Sequence, residues 1–344
     1  ETGLKLEVDF FKRKRSGIPA TPTDIIYPYE AGYSVQKQNL NSDQVSGIDG
    51  MVRWNDRVND FNYFVGVNLT LARQKTINNY GEVFLNGWDQ YRWAQTNRWS
   101  NVKNGAVWMW ETIGVFQTQE EIDNYPVNID GANNVNLRPG DLIFKDVNGD
   151  GLIDDYDKRP LGYAATDYDW DSGNANKNPL LSMGINLGFE YKGIDFAADF
   201  AGGFMNTFIG DWHVKYGIGT DQMGYVYNVI DSWQHEDIFD TKSPWKRGKF
   251  PAVRSNNPSI RDWNDFYAKE INYLRLRNLV VGYTLPIKWT KKALIQKLRV
   301  YFEGSNLLCW DSLNDFGFDP EISSVTGFDY PQHKVYTVGV NVTF

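Results

Sequence analysis

The fold is decided by the last stretch of the chain, Lys334-Val335-Tyr336-Thr337-Val338-Gly339-Val340-Asn341-Val342-Thr343-Phe344. Large apolar side chains take every second position, so they share one face of a strand, while Thr337, Gly339, Asn341 and Thr343 share the other. The stretch ends on an aromatic residue without a polar tail. These features suggest a strand that closes a sheet and lies at a membrane interface.

The same alternation recurs upstream. Its clearest copy runs from Phe61 to Leu71, and a tilted strand of about 9–11 residues is long enough to cross a bilayer. Eight strands are predicted, at about 3–12, 45–54, 61–72, 181–191, 194–205, 271–285, 298–309 and 334–344.

The connections between these strands alternate between long and short. The long ones are predicted at about 13–44, 73–180, 206–270 and 310–333. If all long connections lie outside the cell and all short ones in the periplasm, the C-terminus is periplasmic and every strand obeys one orientation. A soluble sandwich has no reason to sort loop length in this way, so the pattern favours an antiparallel transmembrane β-barrel with long extracellular loops.

Composition excludes several other classes. The formal charge is -8 and no cluster of Lys and Arg interleaves with aromatic residues, which argues against nucleic-acid binding. No apolar run approaches the roughly 18 residues of a membrane-spanning helix. Cys309 is the only cysteine, which excludes an intrachain disulfide and a cysteine-based metal cage.

Five segments, in order, resemble motifs of SusC-like (SusC/RagA-type) TonB-dependent outer-membrane transporters. They include GVFQTQEEID at Gly114–Asp123, PGDLIFKDVNGDGLIDDYD at Pro139–Asp157 and YLRLRNLVVGYTLP at Tyr273–Pro286. The others are VYFEGSNLL at Val300–Leu308, followed by Asp319-Pro320-Glu321, and the aromatic-terminated last strand. The resemblance covers nearly the whole chain.

The resemblance implies an all-β barrel of about 22 strands, a size found among plugged outer-membrane transporters. Residues 1–344 would then form its last eight strands, without the family's signal peptide, TonB-contacting box, plug domain or earlier strands. The alternation already present at Leu4 agrees with a chain that begins inside a strand. We therefore expect Tyr336–Phe344 to pair with Leu298–Cys309 on one side and to have an open edge on the other.

The resemblance also implies a function. Such transporters import oligosaccharides or peptides across the outer membrane of Gram-negative bacteria, and a SusD-like surface lipoprotein caps the barrel. The TonB–ExbB–ExbD system would act through the missing N-terminal region, membrane lipid would surround the barrel, and the chain would not be an enzyme. The polar residues Glu190, Asp195, Asp199, Arg299 and Glu303 are expected to line a wet lumen.

One loop has the ligand spacing of an EF-hand-like calcium site. Oxygen donors at alternate positions and a glycine at the sharp turn suit Ca²⁺, although the last position is an Asp in place of the usual Glu. The alternative is a surface loop in which Asp and Asn side chains bond their own backbone. The candidate ligands are Asp146, Asn148, Asp150, Leu152 (through its carbonyl), Asp154 and Asp157.

Tryptophans in the predicted outer loops could stack on sugar rings. Packing is the alternative for each of them, because large aromatic side chains are usually buried. The candidates are Trp88, Trp93, Trp108, Trp110, Trp170 and Trp212.

A second class of function also fits these features. A secreted calcium-dependent carbohydrate-binding β-protein, without transport activity, would use the Asp-rich loop as an ion site and the tryptophans as a platform. Solubility without detergent distinguishes it from a membrane barrel.

Overall fold

The structure is a computed structural model that describes residues 3–22, 28, 30, 32, 34–78, 80, 106–163, 179–209, 230–252, 264–313, 319–321 and 332–344. Most of these residues form antiparallel β-structure, as predicted. None of the helices found in these ranges is long and apolar enough to span a membrane.

The elements follow one another along the chain with short helices between some of the strands. The strands of the main sheet are β1 (Gly3–Ala20), β2 (Gln38–Val58), β3 (Phe61–Asn78), β8 (Leu181–Tyr191), β9 (Ile194–Ile209), β12 (Ala268–Thr284), β13 (Lys297–Asp311) and β14 (Val335–Thr343). The smaller strands are β4 (Ala106–Met109), β5 (Thr112–Val115), β6 (Leu142–Phe144), β7 (Arg159–Tyr163), β10 (Gln234–His235) and β11 (Trp245–Lys246). The helices are α1 (Gln119–Asp123), α2 (Ile287–Thr290) and two 3-10 turns at Asp155–Asp157 and Lys291–Ala293.

The eight long strands form one sheet in the order β1-β2-β3-β8-β9-β12-β13-β14. The eight predicted strands are therefore confirmed as the strands of this sheet. The terminal strand β14 pairs with β13 from Lys297 opposite Thr343 to Ser305 opposite Val335. Among the described residues β14 and β1 are the two edges and the sheet stays open, as expected for the last strand.

Six of the eight strands are longer than the alternation predicts, so the predicted loops 13–44, 73–180, 206–270 and 310–333 are too wide. β1 continues to Ala20 and β2 already begins at Gln38. In β1 the extension begins with the polar run Arg13–Ser16, which pairs with Ser42–Val45 of β2 without a stripe of apolar side chains. Pro19 lies within β1, an edge strand, where its missing N–H need not break a ladder.

The two faces of the main sheet differ in chemistry from end to end. The cross-strand register aligns apolar residues with apolar residues, for example Leu4, Trp54, Val65, Leu187, Ala198 and Leu279. The next row, on the opposite face, aligns Lys5, Arg53, Gly66, Asn186, Asp199 and Asn278. The sheet is therefore a wall with one apolar side and one polar side.

The described parts of the two longest connections share one hydrophobic core at the long-loop end of the sheet. We call residues 106–163, 230–252 and 264–267 the loop unit. Its core consists of buried side chains drawn from all three segments: Trp110, Phe116, Ile122, Ile129, Leu137, Leu142, Ile143, Phe144, Ile153, Phe250 and Tyr267. Much of the region expected to be a loop is thus a small folded domain with its own core.

Short contacts join the loop unit to the sheet and its own segments to one another. The backbone N–H of Thr112 donates to Asp265 Oδ1 at 2.7 Å, and the N–H of Asp265 donates to the Trp110 carbonyl at 3.2 Å. Gly162 of β7 lies against Thr207 of β9, so close that an added Cβ would be 2.6 Å from Oγ1. Residues 106–163 are therefore held both by residues 264–267 and by the main sheet.

Candidate functional site

The polar face of the sheet carries an ion pair that bridges three strands. Arg299 Nε on β13 donates to Asp195 Oδ1 on β9 at 2.9 Å, across β12. Gly282 is the β12 residue beneath them, and a Cβ there would lie 2.5 Å from the Asp195 carboxylate. A glycine at this position therefore lets the two side chains meet.

A recess of about 1010 Å³ opens at the short-turn end of this polar face. Its lining includes Asp56, Arg57, Glu190, Asp195 and Arg299. Asp199, deeper on the same face, accepts a hydrogen bond from Asn186 Nδ2 at 2.6 Å. The predicted polar residues thus share one surface, with charges of both signs that suit water and polar groups.

A second charged cluster joins β12 to the connection before β14. Arg275 is 4% exposed, and its Nη2 donates to both carboxylate oxygens of Asp319 at 2.6 and 2.7 Å. Its Nε lies 3.0 Å from Glu321 Oε2, and Arg277 also donates to Glu321. A bulge in β12 between Leu276 and Asn278 adjoins both arginines. The cluster holds residues 319–321 against the wall.

The sequence contained both halves of this cluster but not their pairing. Tyr273–Pro286 and Asp319–Glu321 were noted only as motifs of a family resemblance, with no role for their charges. Opposite charges in two separated motifs were the available signal. The bulge that adjoins the two arginines is visible only in the structure.

The candidate calcium loop is built from turns in which side chains bond nearby backbone. Asp146 accepts the N–H groups of Gly149 and Gly151 at 2.6 and 2.8 Å. Asn148 accepts from the N–H of Asp150, and Asp150 Oδ1 accepts from the N–H of Leu152 at 2.8 Å. Asp154 likewise accepts from the N–H of Tyr156 at 2.7 Å. These contacts are those of the alternative interpretation, an Asx-turn loop.

Asp157, the last of the candidate ligands, joins two parts of the loop by hydrogen bonds from its buried carboxylate. It is fully buried and accepts the N–H groups of Val147 and Asp154, both at 2.8 Å. Burial raises the pKa of the Asp157 carboxyl despite the opposing effect of these donors.

Calcium binding by this loop stays a prediction. Within the described ranges, no three acidic, His or Cys side chains are grouped closely enough to hold a metal ion. Calorimetric titration after chelator treatment tests the site, and absence of heat at millimolar Ca²⁺ would leave only the turn-rich loop.

A neighbouring turn was missed by the sequence analysis. Asp130 accepts hydrogen bonds from the N–H groups of Ala132, Asn134 and Asn136 at 2.7, 2.8 and 2.9 Å. Burial acts to raise the pKa of Asp130, but the backbone donors outweigh it and the pKa is lowered. The available sequence signal was the run Asp130-Gly131 followed by Asn133-Asn134, residue types that favour turns. In the structure both asparagines have positive φ.

The tryptophan candidates divide into buried and undescribed residues. Trp110 is 7% exposed, and its Nε1 donates to the Asp154 carbonyl at 2.7 Å while Lys158 Nζ lies 4.3 Å from its ring centroid. Its ring packs the loop unit and is not available to a sugar. For Trp108 only the backbone, in β4, is described. The remaining candidates lie outside the described residues: Trp88, Trp93, Trp170 and Trp212.

No family model matches the chain. The chain is 24% identical over 372 residues to TonB-dependent receptor P3 of Formosa agariphila, an alignment that covers 99% of this chain and 32% of the receptor. It is also 24% identical over 358 residues to TonB-dependent receptor P26 of the same organism, covering 98% and 32%.

The fold is similar to solved structures of a transporter. The RagAB peptide importer in its 'open-open' state superposes with a TM-score of 0.62 at 20% identity, covering 99% of this chain and 33% of that one. A structure of the RagAB peptide transporter gives 0.61 at 23% identity, with the same coverage. The chain thus spans about a third of the length of these relatives. The resemblance expected from the motifs and the all-β fold are both confirmed.

Proposed function

We propose that this chain, which resembles the C-terminal portion of a SusC-like TonB-dependent transporter, supplies about a third of a barrel wall in the outer membrane of a Gram-negative bacterium. In this proposal the long connections are extracellular and the C-terminus is periplasmic. The wall and its loop unit contribute to the TonB-dependent import of solutes. The chain itself makes and breaks no covalent bond.

The observation that carries the proposal is the exposed apolar face of the main sheet. Phe10 is 78% exposed, Val338 75% and Leu6 64%, although they lie in regular, well-paired strands. Water-soluble monomers rarely expose contiguous apolar surface beyond a few hundred Å². A face of this kind, opposite a polar one, is the pattern of a strand between lipid and a wet lumen.

Oligosaccharides and peptides are the proposed substrates, since both are too large for simple porins. The solved neighbours are named as a peptide importer, which supports including peptides in the first test. The proposed partners are a SusD-like surface lipoprotein over the long-loop end and the TonB–ExbB–ExbD system in the periplasm.

Uptake by cells carrying the full-length gene tests this function. Deletion of the gene is expected to abolish growth on one pool of peptides or oligosaccharides, and restoration of the gene to rescue it. A variant whose TonB-contacting segment is removed should remain in the outer membrane and fail to transport. Growth of the deletion strain on every pool would contradict the proposed import.

The carbohydrate-binding alternative gives a different result in fractionation. A secreted protein would be recovered in the medium and stay in solution without detergent. The transporter is expected only in the outer-membrane fraction, because its apolar face needs lipid or detergent. Recovery of folded protein in detergent-free buffer would favour the alternative.

A further inference from the structure

One hairpin of the loop unit presents apolar side chains to solvent. Strands β10 and β11 are joined by residues 236–244, and at the turn Ile238 is 67% exposed and Phe239 91%. We call Ile238 and Phe239 the hairpin tip. Other aromatic residues of the loop unit, such as Phe116 and Phe144, are completely buried. Single exposed apolar residues are ordinary, but two adjacent large ones on one turn call for an explanation.

Hydrogen bonds fix the backbone that carries the hairpin tip. The N–H of Phe239 donates to Asp237 Oδ1 at 2.9 Å, and the N–H of Asp240 donates to the Asp237 carbonyl at 3.1 Å. Ser243 Oγ accepts the N–H of Asp237 at 3.1 Å and lies 2.9 Å from the Asp240 carbonyl. The turn is therefore preorganised, and less conformational entropy is lost when a preorganised loop binds.

The stem of the hairpin is anchored in the loop unit. The rings of His235 and Trp245 pack with centroids 4.1 Å apart and planes tilted by 34°, and His235 Nδ1 is 2.7 Å from the Ser243 carbonyl. Below them, Trp233 is buried against Gly140 and Phe250 belongs to the core. The hairpin tip consequently has a fixed position relative to the core of the loop unit.

The charges beside the hairpin tip favour a protein partner over a lipid surface. Carboxylates of Glu236, Asp237 and Asp240 flank the two apolar residues on both sides, while Lys242 and Lys246 follow on the returning arm. Segments that insert into membrane interfaces carry Lys and Arg next to their apolar residues, because the headgroups are anionic. Carboxylates instead match an apolar protein pocket with a Lys or Arg rim.

We propose that Ile238 and Phe239 insert into an apolar, basic-rimmed pocket of the SusD-like lipoprotein and anchor it over the long-loop end. This inference rests on the proposed function, which supplies that partner. Two side chains cover only part of a standard interface of about 800 Å² per partner. The hairpin tip is therefore a hot spot within a larger contact, and its removal is expected to weaken binding about 30-fold.

The test uses the full-length transporter and its lipoprotein, both purified in detergent. Dissociation constants are measured for the wild type, for Ile238→Ser combined with Phe239→Ser, and for Val135→Ser as a matched control. Val135 is 76% exposed in another turn of the loop unit. All three replaced side chains are exposed, so the variants should fold. The double variant should bind about 30-fold more weakly, and the control should bind like the wild type.

A photo-activated cross-linker placed at position 239 in living cells provides a second measurement. Covalent capture of the lipoprotein is expected, and capture of lipid alone would overturn the inference in favour of a membrane contact. Equal affinity of the wild type and the double variant would overturn it while leaving the transporter intact. If the wild type binds no SusD-like lipoprotein, the proposed partner fails and the inference fails with it, whereas uptake remains a separate measurement.

Discussion

The main sheet and the loop unit direct their apolar side chains in opposite ways. In the sheet, Phe10 and Val338 are 78% and 75% exposed, and they belong to rows that run across paired strands. In the loop unit, Phe116 and Phe144 are completely buried in a core drawn from three segments. The same kinds of side chain thus face outward in one region and inward in the other.

The two regions differ in the surroundings that suit their apolar side chains. The loop unit follows the rule for proteins in water, where removing apolar area from solvent stabilises the fold. The sheet is held by ladder hydrogen bonds, and its apolar face is suited to a surrounding that is itself apolar.

The first experiment removes one buried aromatic ring from the core of the loop unit. Phe144→Ala should destabilise the loop unit by about 3–5 kcal/mol, because it removes a fully buried ring and leaves a cavity. Rapid proteolysis of residues 106–163 in the full-length protein in detergent would reveal the loss. Phe10→Ala, on the exposed face of β1, is the matched control and should leave cleavage of the loop unit unchanged. Equal cleavage of both variants would contradict the proposed difference.

The second experiment places a charge on the apolar face of the sheet. Val338 lies near the middle of β14. Val338→Arg should lower the free energy of unfolding by about 2–4 kcal/mol if that face meets lipid. Thr337→Arg, one residue away on the polar face, should be tolerated. Gel mobility with and without heating measures the folded fraction in outer membranes. A folded fraction of Val338→Arg equal to that of Thr337→Arg would show that the face does not meet lipid.

The third experiment tests how tightly the two connections pack together. Gly140 has φ +94°, and an added Cβ would lie 2.4 Å from Cβ of Trp233, so Gly140→Ala forces the hairpin stem away. Overpacking of this kind costs about 1–3 kcal/mol. Gly131→Ala shares the positive φ, with nothing within 4 Å of its Cβ, and isolates the backbone strain. Hydrogen exchange of residues 231–250 should rise more in Gly140→Ala, and equal rates would refute the packing.

The smallest effect expected is a pH dependence in the turn at Asp130. The folded-state pKa of this carboxyl is lowered by three backbone donors, so its contribution to stability is complete above the unfolded pKa. It is lost as pH falls through the lower folded value, below about pH 4. Exchange protection of the Ala132 and Asn134 amides should therefore weaken in acid. Asp130→Asn should lower the stability of this turn by about 1 kcal/mol at neutral pH. Its exchange protection should then show no acid transition.

The sequence predicts the eight strands of the main sheet but neither their ends nor the six short strands of the loop unit. Alternation from Phe61 to Leu71 predicts a strand because side chains on successive residues point to opposite faces. Beyond the apolar band the ladder continues through polar residues, where Arg15 pairs with Asp43 and Gln74 also donates to Asp43. Such residues carry no periodic hydrophobic signal, so the predicted strands stop too early.

The surroundings of the candidate site residues were harder to predict from the sequence than the strands. The spacing from Asp146 to Asp157 predicts a calcium loop, which stays a prediction; the structure adds that carboxylate oxygens of this loop accept backbone N–H groups. Trp110 was a candidate for ligand stacking and lies in the core. Spacing along a loop does not reveal which partner, ion or backbone, each oxygen contacts.

The sequence alone predicts the eight strands of the main sheet, the chemistry of each face and the division between short and long connections. These properties follow from the period of the backbone and are therefore local. Tertiary structure alone decided that Arg275 meets Asp319 and Glu321, that Trp233 packs on Gly140, and that the connections share one core. Contacts of this kind join residues far apart in the chain, and their geometry depends on how every intervening segment folds.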